Sequence, residues 1–418
     1  MEKKQPFEGI KVASFAWAAT GPLAVRTLAE HGATVIRIES HSRPTISRLT
    51  QPYKGHISSL DRSAHGAKLM TNNYGMSLDL TKPKGMEIAR RLIQWADIVT
   101  EAFTPGTMEK LGLDYEGAKK IKPDIIYFST SMQGHTGPHT KFQAYGLQMT
   151  SLCGFSMVTG HPDKQPVVVY DSYTDWIGPW YLVIALIGAL ERWRKTGEGL
   201  FIEQSQYESG ATMLAPEILD FIVNKQITTR MANRNPYACP HGAYRCKGAD
   251  RWVAIAVPTD EIWQSFCEVI GNPSLAKDPK FATLIARKKN EDALDKLVEE
   301  WTINHTAEEA MHLMQAKGIP AGVVQTAEDL FNDPQLKHRD AWVFLDHEVI
   351  GSHAYDNEPT RFSKTPPRLW KAGPCLGQDN EYVYKELLGY TDDEIGEFLI
   401  EGVITTEADI VGGVTGSF

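Results

Sequence analysis

Two aspartates, Asp171 and Asp175, stand just before the most apolar stretch of the sequence, Trp176 to Leu190. Aspartate is a favoured N-cap residue, so the plain structural explanation of either residue is a helix cap. A carboxylate at a helix start also lies among backbone N–H groups that have no partner within the helix. Aspartate can also act as a covalent nucleophile. The two roles are compatible for Asp175, and on this ground alone both residues stay candidates.

The cysteines do not form a pattern that binds metal or builds a disulfide framework. There are 5 of them, widely scattered, at positions 153, 239, 246, 267 and 375. Cys239 and Cys246 are the closest pair, yet the chain has no CxxC motif and no His/Cys cluster with metal-ligand spacing. We therefore expect buried thiols, no disulfides and no metal site.

A turn at residues 17–22 lies between a strand and a helix, where dinucleotide-binding folds hold a pyrophosphate. Binding of the pyrophosphate needs several spaced glycines in this turn, because only glycine lets the backbone approach the phosphates closely. The turn here contains only Gly21, followed by Pro22. Glu39, at the end of the second strand, is then expected to be a solvated strand end. The sequence predicts no NAD binding.

Composition limits the class of protein further. A length of 418 residues favours two packed units, and 42% hydrophobic with 23% charged residues is typical of a globular protein. The net charge of −9 argues against nucleic acid as a partner. The start of the chain has no apolar signal segment, and residues 176–190 are short for a membrane span. We expect a cytoplasmic protein without a membrane segment, whose residues 176–190 form a buried helix.

Strands and helices must position these candidates. Strand-like runs at 10–15, 34–39, 98–101 and 125–128 alternate with helical patterns at 23–31 and 83–96, and a long helix covers 176–193. This alternation predicts an α/β fold with a doubly wound parallel, Rossmann-like sheet that binds ligands at the carboxyl ends of its strands.

After residue 225 the pattern changes. A strand at 251–257 is followed by helical patterns at 260–270, 288–303 and 307–317, which predicts a smaller α+β domain over 225–330. Residues 1–224 and 331–418 are assigned to the large domain. The proline-rich stretch 333–390 is expected to be mostly loop that wraps over a domain or subunit, before a short helix at 392–400.

Segments spread in order over nearly the whole chain resemble one known family. They include FEGIKVASFAWAATGPLAVRTLAEHGATVIRIE, KPDIIYFSTSMQGHTGP, DWIGPWYLVIALIGALERWRKTGEG and GIPAGVVQTAEDLFNDPQL. These resemble class III CoA-transferases of the CaiB/BaiF type, the family of formyl-CoA:oxalate and carnitine CoA-transferases. The resemblance implies an enzyme that uses acyl-CoA as substrate, needs no metal or NAD, and forms an interlocked dimer or a heteromer with a related subunit.

The same resemblance implies that Asp175 is the nucleophile, because the family's aspartate lies at this distance before the end of the long helix; Asp171 is the alternative. Such an aspartate attacks an acyl-CoA thioester to form a mixed anhydride. The released CoA thiolate then attacks the aspartyl carbonyl, which leaves an aspartyl-CoA thioester. The acceptor acid reverses these steps.

The resemblance also implies which residues of this chain contact CoA. The turn Ala18-Ala19-Thr20 resembles the segment that holds the adenosine diphosphate, Leu78 and Phe103 match positions that line the nucleotide, and Lys110 matches a basic residue facing phosphate. Gln143 stands where some members have a lysine.

This chain departs from the pattern at Ser40, where relatives often carry a basic residue, and at Ala102, where they carry asparagine. Several basic residues remain open as replacements for the missing phosphate contact: Arg43, Arg48, Lys82 and Lys141.

The resemblance leaves two alternatives to a CoA-transferase: a racemase and a non-catalytic subunit. The α-methylacyl-CoA racemases resemble this chain but pair the aspartate with a histidine base. Here Tyr145 stands at the matching place, which favours a transferase and predicts a role for Tyr145 near the thioester. The third hypothesis is a non-catalytic subunit of a heteromer, and the presence of Asp175 disfavours it.

The acceptor is predicted from the aromatic residues near the nucleophile: Tyr170, Tyr173, Trp176, Trp180 and Tyr181. If they line the pocket instead of packing in the core, the acid is bulky or aromatic. The sequence is most similar to the branch that acts on benzylsuccinate-like acids with succinyl-CoA as donor. A loop at 237–242 is expected either to shield the anhydride from water or to be an ordinary turn.

Overall fold

A computed structural model describes residues 4–169 and 172–405. The strands, in chain order, are β1 Lys11–Ser14, β2 Thr34–Glu39, β3 Tyr74–Ser77, β4 Ile98–Glu101, β5 Ile126–Ser131, β6 Leu200–Ser205, β7 His241–Arg245, β8 Trp252–Ala256, β9 Ala321–Val323, β10 Trp342–His347 and β11 Gly351–Asp356.

The α-helices, in chain order, are α1 Thr20–Glu30, α2 Ala64–Leu69, α3 Pro83–Trp95, α4 Thr107–Leu111, α5 Tyr115–Ile121, α6 Gly146–Leu152, α7 Phe155–Val158, α8 Tyr173–Thr196, α9 Gln206–Thr212, α10 Ala215–Asn224, α11 Asp260–Val269, α12 Leu284–Lys289, α13 Glu291–Thr302, α14 Ala307–Gln315, α15 Ala327–Asn332, α16 Pro334–His338 and α17 Asp392–Ile400. Residues Tyr382–Leu387 form a π-helix.

Strands β1 to β6 form one parallel sheet in the order β3-β2-β1-β4-β5-β6. This order confirms the predicted doubly wound fold, and its switch point lies between β1 and β4, where such folds bind ligands. Strands β4 and β5 are buried along their whole length, as expected for a parallel sheet covered on both faces.

Each face of the sheet packs on its own apolar core. Helices α1 and α8 cover one face, where Leu28 and Leu186 pack with Val12 and Phe128 of the sheet. Helices α3, α5 and α17 cover the other face through a second core. Helix α8 is long and apolar enough to cross a membrane by length and composition alone, and 50% of that window is buried inside the protein. Its buried residues therefore serve the core of this unit.

The chain divides into two compact units: residues 1–154, 169–219 and 338–418, and residues 155–168 and 220–337. The second unit thus takes in the segment 155–168, which the sequence analysis left in the large domain. Its own core lies between an antiparallel sheet, in the order β7-β8-β9, and helices that include α11, α13 and α14.

Several local expectations were wrong for identifiable reasons. Strands β3 and β6 were not predicted, because β3 has only four residues with a glycine among them and β6 is a half-exposed edge strand with polar residues in it. Residues 342–356 form the hairpin β10–β11 within a stretch expected to be loop. The helix predicted at 288–303 is broken at Asn290, whose backbone (φ −116°, ψ 26°) is not helical.

Glu39 is not a solvated strand end. It is 6% exposed, and its carboxylate accepts hydrogen bonds from Arg48 Nε at 3.0 Å and Arg48 Nη2 at 2.7 Å. The same guanidinium donates to Asp61 Oδ1 at 2.6 Å and to the carbonyl of Pro374 at 2.9 Å. Burial opposes ionisation of Glu39, but Arg48 and Arg37 outweigh it and hold the pKa of that carboxyl below its usual range. Arg48 thus joins the end of β2 to distant segments and is committed to structure.

The substitution Arg48→Met should test this buried network. Removing this cation breaks its buried ion pairs with Glu39 and Asp61, so we expect the free energy of unfolding to fall by about 3–5 kcal/mol. Urea unfolding followed by circular dichroism measures the change. The matched control is Arg192→Met, which breaks an exposed pair with Glu198 and should cost less than about 1 kcal/mol. Equal losses in both variants would contradict a structural role for Arg48.

Candidate functional site

The loops after β1, β3 and β4 lie at the carboxyl edge of the sheet and carry most of the predicted nucleotide contacts. Ala18 follows β1 with a left-handed backbone (φ 56°), and its N–H donates to Thr45 Oγ1 at 3.2 Å. Ala19 is the N-cap of α1 and Thr20 is the first residue of that helix. The predicted CoA turn is therefore an ordered, strained connection at the switch point of the sheet.

Asp175 lies in the first turn of α8 and is half-buried. Its backbone N–H donates to the carbonyl of Ser172 at 2.8 Å. Its Oδ1 accepts a hydrogen bond from Thr20 Oγ1 at 3.1 Å. The positive end of the dipole of a long helix favours negative charge in this first turn. The structure thus brings the candidate nucleophile to the CoA turn, although 155 residues separate the two in sequence.

Two glycines permit this approach. A β-carbon on Gly178 would lie 2.8 Å from Thr20 Cγ2, so a side chain there would push α8 away from the start of α1. A β-carbon on Gly146 would lie 2.5 Å from Asp175 Oδ2 and closer still to the side chain of Ser172. The carboxylate is therefore held between the Thr20 hydroxyl and the backbone at Gly146. The sequence analysis did not identify Gly146, whose only signal was its place beside Tyr145.

Tyr145 immediately precedes Gly146 and is the N-cap residue of α6. Its backbone N–H donates to Gln148 Oε1 at 3.1 Å, while its side chain is 63% exposed. Gln143 is exposed as well. The structure places Tyr145 one residue from the contact with Asp175, and its role near the thioester stays a prediction. Asp171 and Tyr170 lie outside the described residues.

The two predicted nucleotide-lining residues differ in exposure. Leu78 follows β3 and is 1% exposed, packed in the core beneath the carboxyl edge. Phe103 follows β4 and is half-buried, with its ring centroid 6.2 Å from that of Trp17. Trp17 is 37% exposed. Trp17 and Phe103 thus form an aromatic surface beside the CoA turn, and Trp17 is a residue that the sequence analysis missed.

The predicted phosphate-binding residues also separate into two groups. Lys110 is exposed on α4, and Arg43, Lys82 and Lys141 are exposed too. Arg48 is 2% exposed and bound to Glu39 and Asp61, so it does not fit the role of a phosphate ligand. Four of the five basic candidates remain accessible to a ligand.

Glu101, at the end of β4, is a buried carboxylate that sequence reasoning did not consider. It is 3% exposed, and its Oε2 accepts the N–H of Phe103 at 2.7 Å. Burial raises the pKa of Glu101 to about 7, and hydrogen bonds from Ser129 and Phe103 oppose this rise. Ser129 Oγ lies 2.7 Å from His135 Nε2. Glu101 thus fixes the backbone of a candidate CoA contact.

A cavity of about 220 Å³ borders Glu101. Its walls are formed by Glu101, Met108, Glu109, Asp114, Tyr115, Glu116, Tyr127, His135 and Phe201. With four carboxylates it is unsuited to phosphate. Within residues 4–169 and 172–405, no group of three or more His, Cys, Asp or Glu side chains is arranged to hold a metal ion. The five cysteines are all buried thiols.

Known proteins resemble the chain over nearly its whole length. Residues 7–380 match CoA-transferase family III. The chain is 29% identical to the succinyl-CoA–D-citramalate CoA-transferase of Chloroflexus aurantiacus, over 96% of this chain and 98% of that protein. It is 27% identical to the beta subunit of the succinyl-CoA–L-malate CoA-transferase of the same organism, over 96% and 98%. A CaiB/BaiF family protein from Brucella suis matches with a TM-score of 0.84 and 30% identity, over 92% of this chain and 100% of that one.

The raised pKa of Glu101 has a measurable consequence for stability. Between pH 4.5, its ordinary value, and about 7, the folded protein keeps a proton that the unfolded chain releases, so stability falls as the pH rises. Glu101→Gln imitates the protonated carboxyl. We expect this variant to unfold like the wild type near pH 4.5 and to be more stable at pH 8, by on the order of 2 kcal/mol.

Urea unfolding at several pH values measures this difference. Glu116→Gln is the matched control, because Glu116 lines the same cavity but is exposed. It should leave the pH profile of the wild type unchanged. Parallel profiles for Glu101→Gln and the wild type would show that Glu101 does not titrate in this range.

Proposed function

The chain belongs to CoA-transferase family III, and we propose that it moves CoA from succinyl-CoA to a carboxylic acid through covalent intermediates on Asp175. It is a CoA-transferase, as its relatives are. The observation that carries the proposal is the 3.1 Å contact between Thr20, in the predicted CoA turn, and the carboxylate of Asp175. This contact places a carboxylate beside the turn that the resemblance assigns to CoA.

The reaction proceeds in balanced steps. A carboxylate oxygen of Asp175 adds to the thioester carbonyl and expels CoA as a thiolate, which forms an acyl-aspartyl anhydride. The thiolate then adds to Cγ of Asp175 and expels the donor acid, which carries away one aspartyl oxygen. An acceptor carboxylate adds to the resulting aspartyl-CoA thioester, and the two steps run in reverse. Each bond exchange is close to balanced in energy, which is the advantage of a covalent route.

Exposed groups near the turn supply binding for CoA. Trp17 and Phe103 offer an aromatic surface for the adenine, since bases stack on aromatic rings. Lys110 is exposed on the helix that follows Phe103, and a lysine in this position neutralises phosphate as a point charge. These assignments rest on family position and exposure together. Ala18 and Ala19 contribute backbone, because their side chains are small enough to let a ligand approach.

We propose a dicarboxylic acid as the acceptor. The relatives' names pair succinyl-CoA with D-citramalate and L-malate, and both acids carry two carboxylates, as does benzylsuccinate. The aromatic acceptor predicted from the sequence stays a prediction. Tyr173 and Trp176 are half-buried beside Asp175, but Trp180 and Tyr181 are 50% and 40% exposed on α8.

The enzyme is further proposed to be cytoplasmic and to work as an interlocked dimer. Its five cysteines are buried thiols, which agrees with a reducing compartment. On α8, Trp180, Tyr181, Ile184 and Ile187 are 40–70% exposed along one side of the helix. Helix α10 contains no buried residue although it is largely apolar. Exposed apolar surface of this kind is typical of protein interfaces, and a second copy or a paralogous subunit is the partner that fits the family.

Asp175→Asn should abolish transfer, because an amide cannot form the anhydride. We expect the rate of CoA transfer from succinyl-CoA to fall by at least ~10³-fold, with the fold intact by circular dichroism. Asp392→Asn is the matched control: Asp392 also lies in the first turn of a helix, α17. In the wild type, hydroxylamine added after succinyl-CoA should trap a hydroxamate at Asp175. A hydroxamate at Asp171 would move the nucleophile to that residue.

The acceptor and the reaction type are tested in the same assay. Mass spectrometry of CoA products from a panel of acids should show turnover with malate, citramalate or benzylsuccinate and little with propionate or benzoate.

In D₂O no deuterium should enter the α-carbon of the acyl group, because transfer never breaks that C–H bond. Deuterium uptake at the rate of turnover would replace the transferase proposal with a racemase.

The proposed interface is tested by Ile184→Lys. A charge on the apolar side of α8 should convert the dimer to monomer or aggregate, as seen by analytical ultracentrifugation. Ile285→Lys is the matched control, since Ile285 is also 70% exposed but lies on the mostly polar helix α12. A folded wild-type monomer at nanomolar concentration would refute the interlocked dimer.

A further inference from the structure

The side chain of Thr20 has a fixed direction. Its hydroxyl lies 3.1 Å from Asp175 Oδ1, and the residue is 2% exposed. A carboxylate accepts hydrogen bonds and cannot donate them when ionised. The Thr20 hydroxyl is therefore the donor. Sequence reasoning had placed Thr20 with the nucleotide, whereas the structure directs its polar atom to the candidate nucleophile.

Packing holds the hydroxyl in this orientation. Threonine is branched at Cβ and has few favourable χ1 rotamers. Its methyl group points at Gly178 of α8, so closely that a β-carbon there would lie 2.8 Å from Cγ2. The methyl and the hydroxyl thus contact two consecutive turns of α8, at Gly178 and at Asp175. Rotation of the side chain would place the methyl against the carboxylate and lose the hydrogen bond.

The other carboxylate oxygen faces a different surface. Asp175 Oδ2 lies against the backbone of Gly146, where a β-carbon would be 2.5 Å away. The two oxygens therefore have distinct surroundings: Oδ1 receives the Thr20 hydroxyl, and Oδ2 packs against Gly146 beside the side chain of Ser172. A hydrogen bond from Thr20 withdraws electron density from Oδ1, so we take Oδ2 as the attacking oxygen and Oδ1 as the carbonyl oxygen of the acylated aspartate.

We propose that Thr20 is a catalytic residue whose hydroxyl stabilises the oxyanion that forms on Oδ1 during addition to Cγ of Asp175. This inference rests on the proposed covalent role of Asp175. Two additions place negative charge on Oδ1: CoA thiolate adds to the anhydride and expels the donor acid, and the acceptor acid adds to the aspartyl-CoA thioester and expels CoA thiolate. In both, Oδ1 changes from a neutral carbonyl oxygen to an oxyanion and back.

The hydroxyl contributes more in the transition state than before it. In the acylated states Oδ1 is a neutral carbonyl oxygen, and hydrogen bonds to a charged acceptor are roughly twice as strong as those to a neutral one. Interactions that strengthen in the transition state accelerate the chemical step. The steps at the acyl carbonyl of the substrate put their charge on the substrate's own oxygen. Thr20 should therefore affect formation and consumption of the aspartyl-CoA thioester, and not the binding of acyl-CoA.

The test compares Thr20→Val, which keeps the shape and removes the hydroxyl, with Thr20→Ser, which keeps the hydroxyl. The removal of one oxyanion donor costs on the order of 10²-fold or more in enzymes with a preformed site. For Thr20→Val we expect kcat to fall by ~10- to 100-fold with little change in KM for succinyl-CoA. Rapid quench and mass spectrometry of the Asp175 peptide should show the CoA adduct forming more slowly by the same factor. Thr20→Ser should recover most of the rate.

Thr174→Val is the matched control. Thr174 is 1% exposed, adjoins Asp175, and its Oγ1 has no hydrogen-bond partner in the described part of the chain. The same chemical change at this position should leave kcat and adduct formation within about 3-fold of the wild type, as expected for a group outside the reacting set. Thermal unfolding of all three variants shows whether each one is folded.

The outcomes separate this inference from the proposed function. Normal adduct formation in Thr20→Val would overturn the role of its hydroxyl, and an equal loss in Thr20→Ser would assign the effect to packing against Gly178. If the wild type forms no CoA adduct on Asp175, the covalent function itself fails, whatever Thr20 does. A loss in kcat and adduct rate confined to Thr20→Val establishes the assignment.

Discussion

Helix α8 can pack against the start of α1 only because residue 178 has no side chain, since a β-carbon there would lie 2.8 Å from Thr20 Cγ2. The candidate site depends on this close approach. It brings Asp175, in the first turn of α8, to the Thr20 hydroxyl, in the turn after β1. The apolar side of α8 holds the arrangement by packing on the sheet, where Leu182 and Leu186 are fully buried.

Charged side chains near the carboxyl edge of the sheet are of two kinds: some are buried in ion pairs, and others are exposed. Arg48 is enclosed with Glu39 and Asp61, so the acid at the end of β2 is neutralised from within the protein. In a dinucleotide-binding fold an acid at that position would contact ribose. Arg48 is thus withdrawn from the carboxyl edge, where Trp17 and Lys110 are exposed and Phe103 is half-buried. Lys110 is an exposed cation in a chain whose net charge is −9.

The parts of the fold that the sequence predicted are those with strong local signals. Strands β2, β4 and β5 are buried on both faces and appear as short apolar runs, and α3 opens with Pro83 at its first position. The edge strand β6 was missed because three apolar residues are followed by three polar ones, so it is neither a continuous apolar run nor an alternating one. Hairpin β10–β11 was missed because the stability of each strand depends on pairing with the opposite strand and not on local sequence preference.

By itself, the sequence determined the fold class, the family and the identity of Asp175 as the candidate nucleophile, because these depend on residue types and on spacing along one chain. Only the tertiary structure decided what surrounds that carboxylate. Thr20 and Gly146 reach it from separate loops, Arg48 is withdrawn into a buried network, and Glu101 supports Phe103 from behind. Such contacts arise because parallel strands end at the same edge of a sheet. The loops after those strands bring together residues that are far apart in sequence, and no local sequence pattern predicts that they will be close.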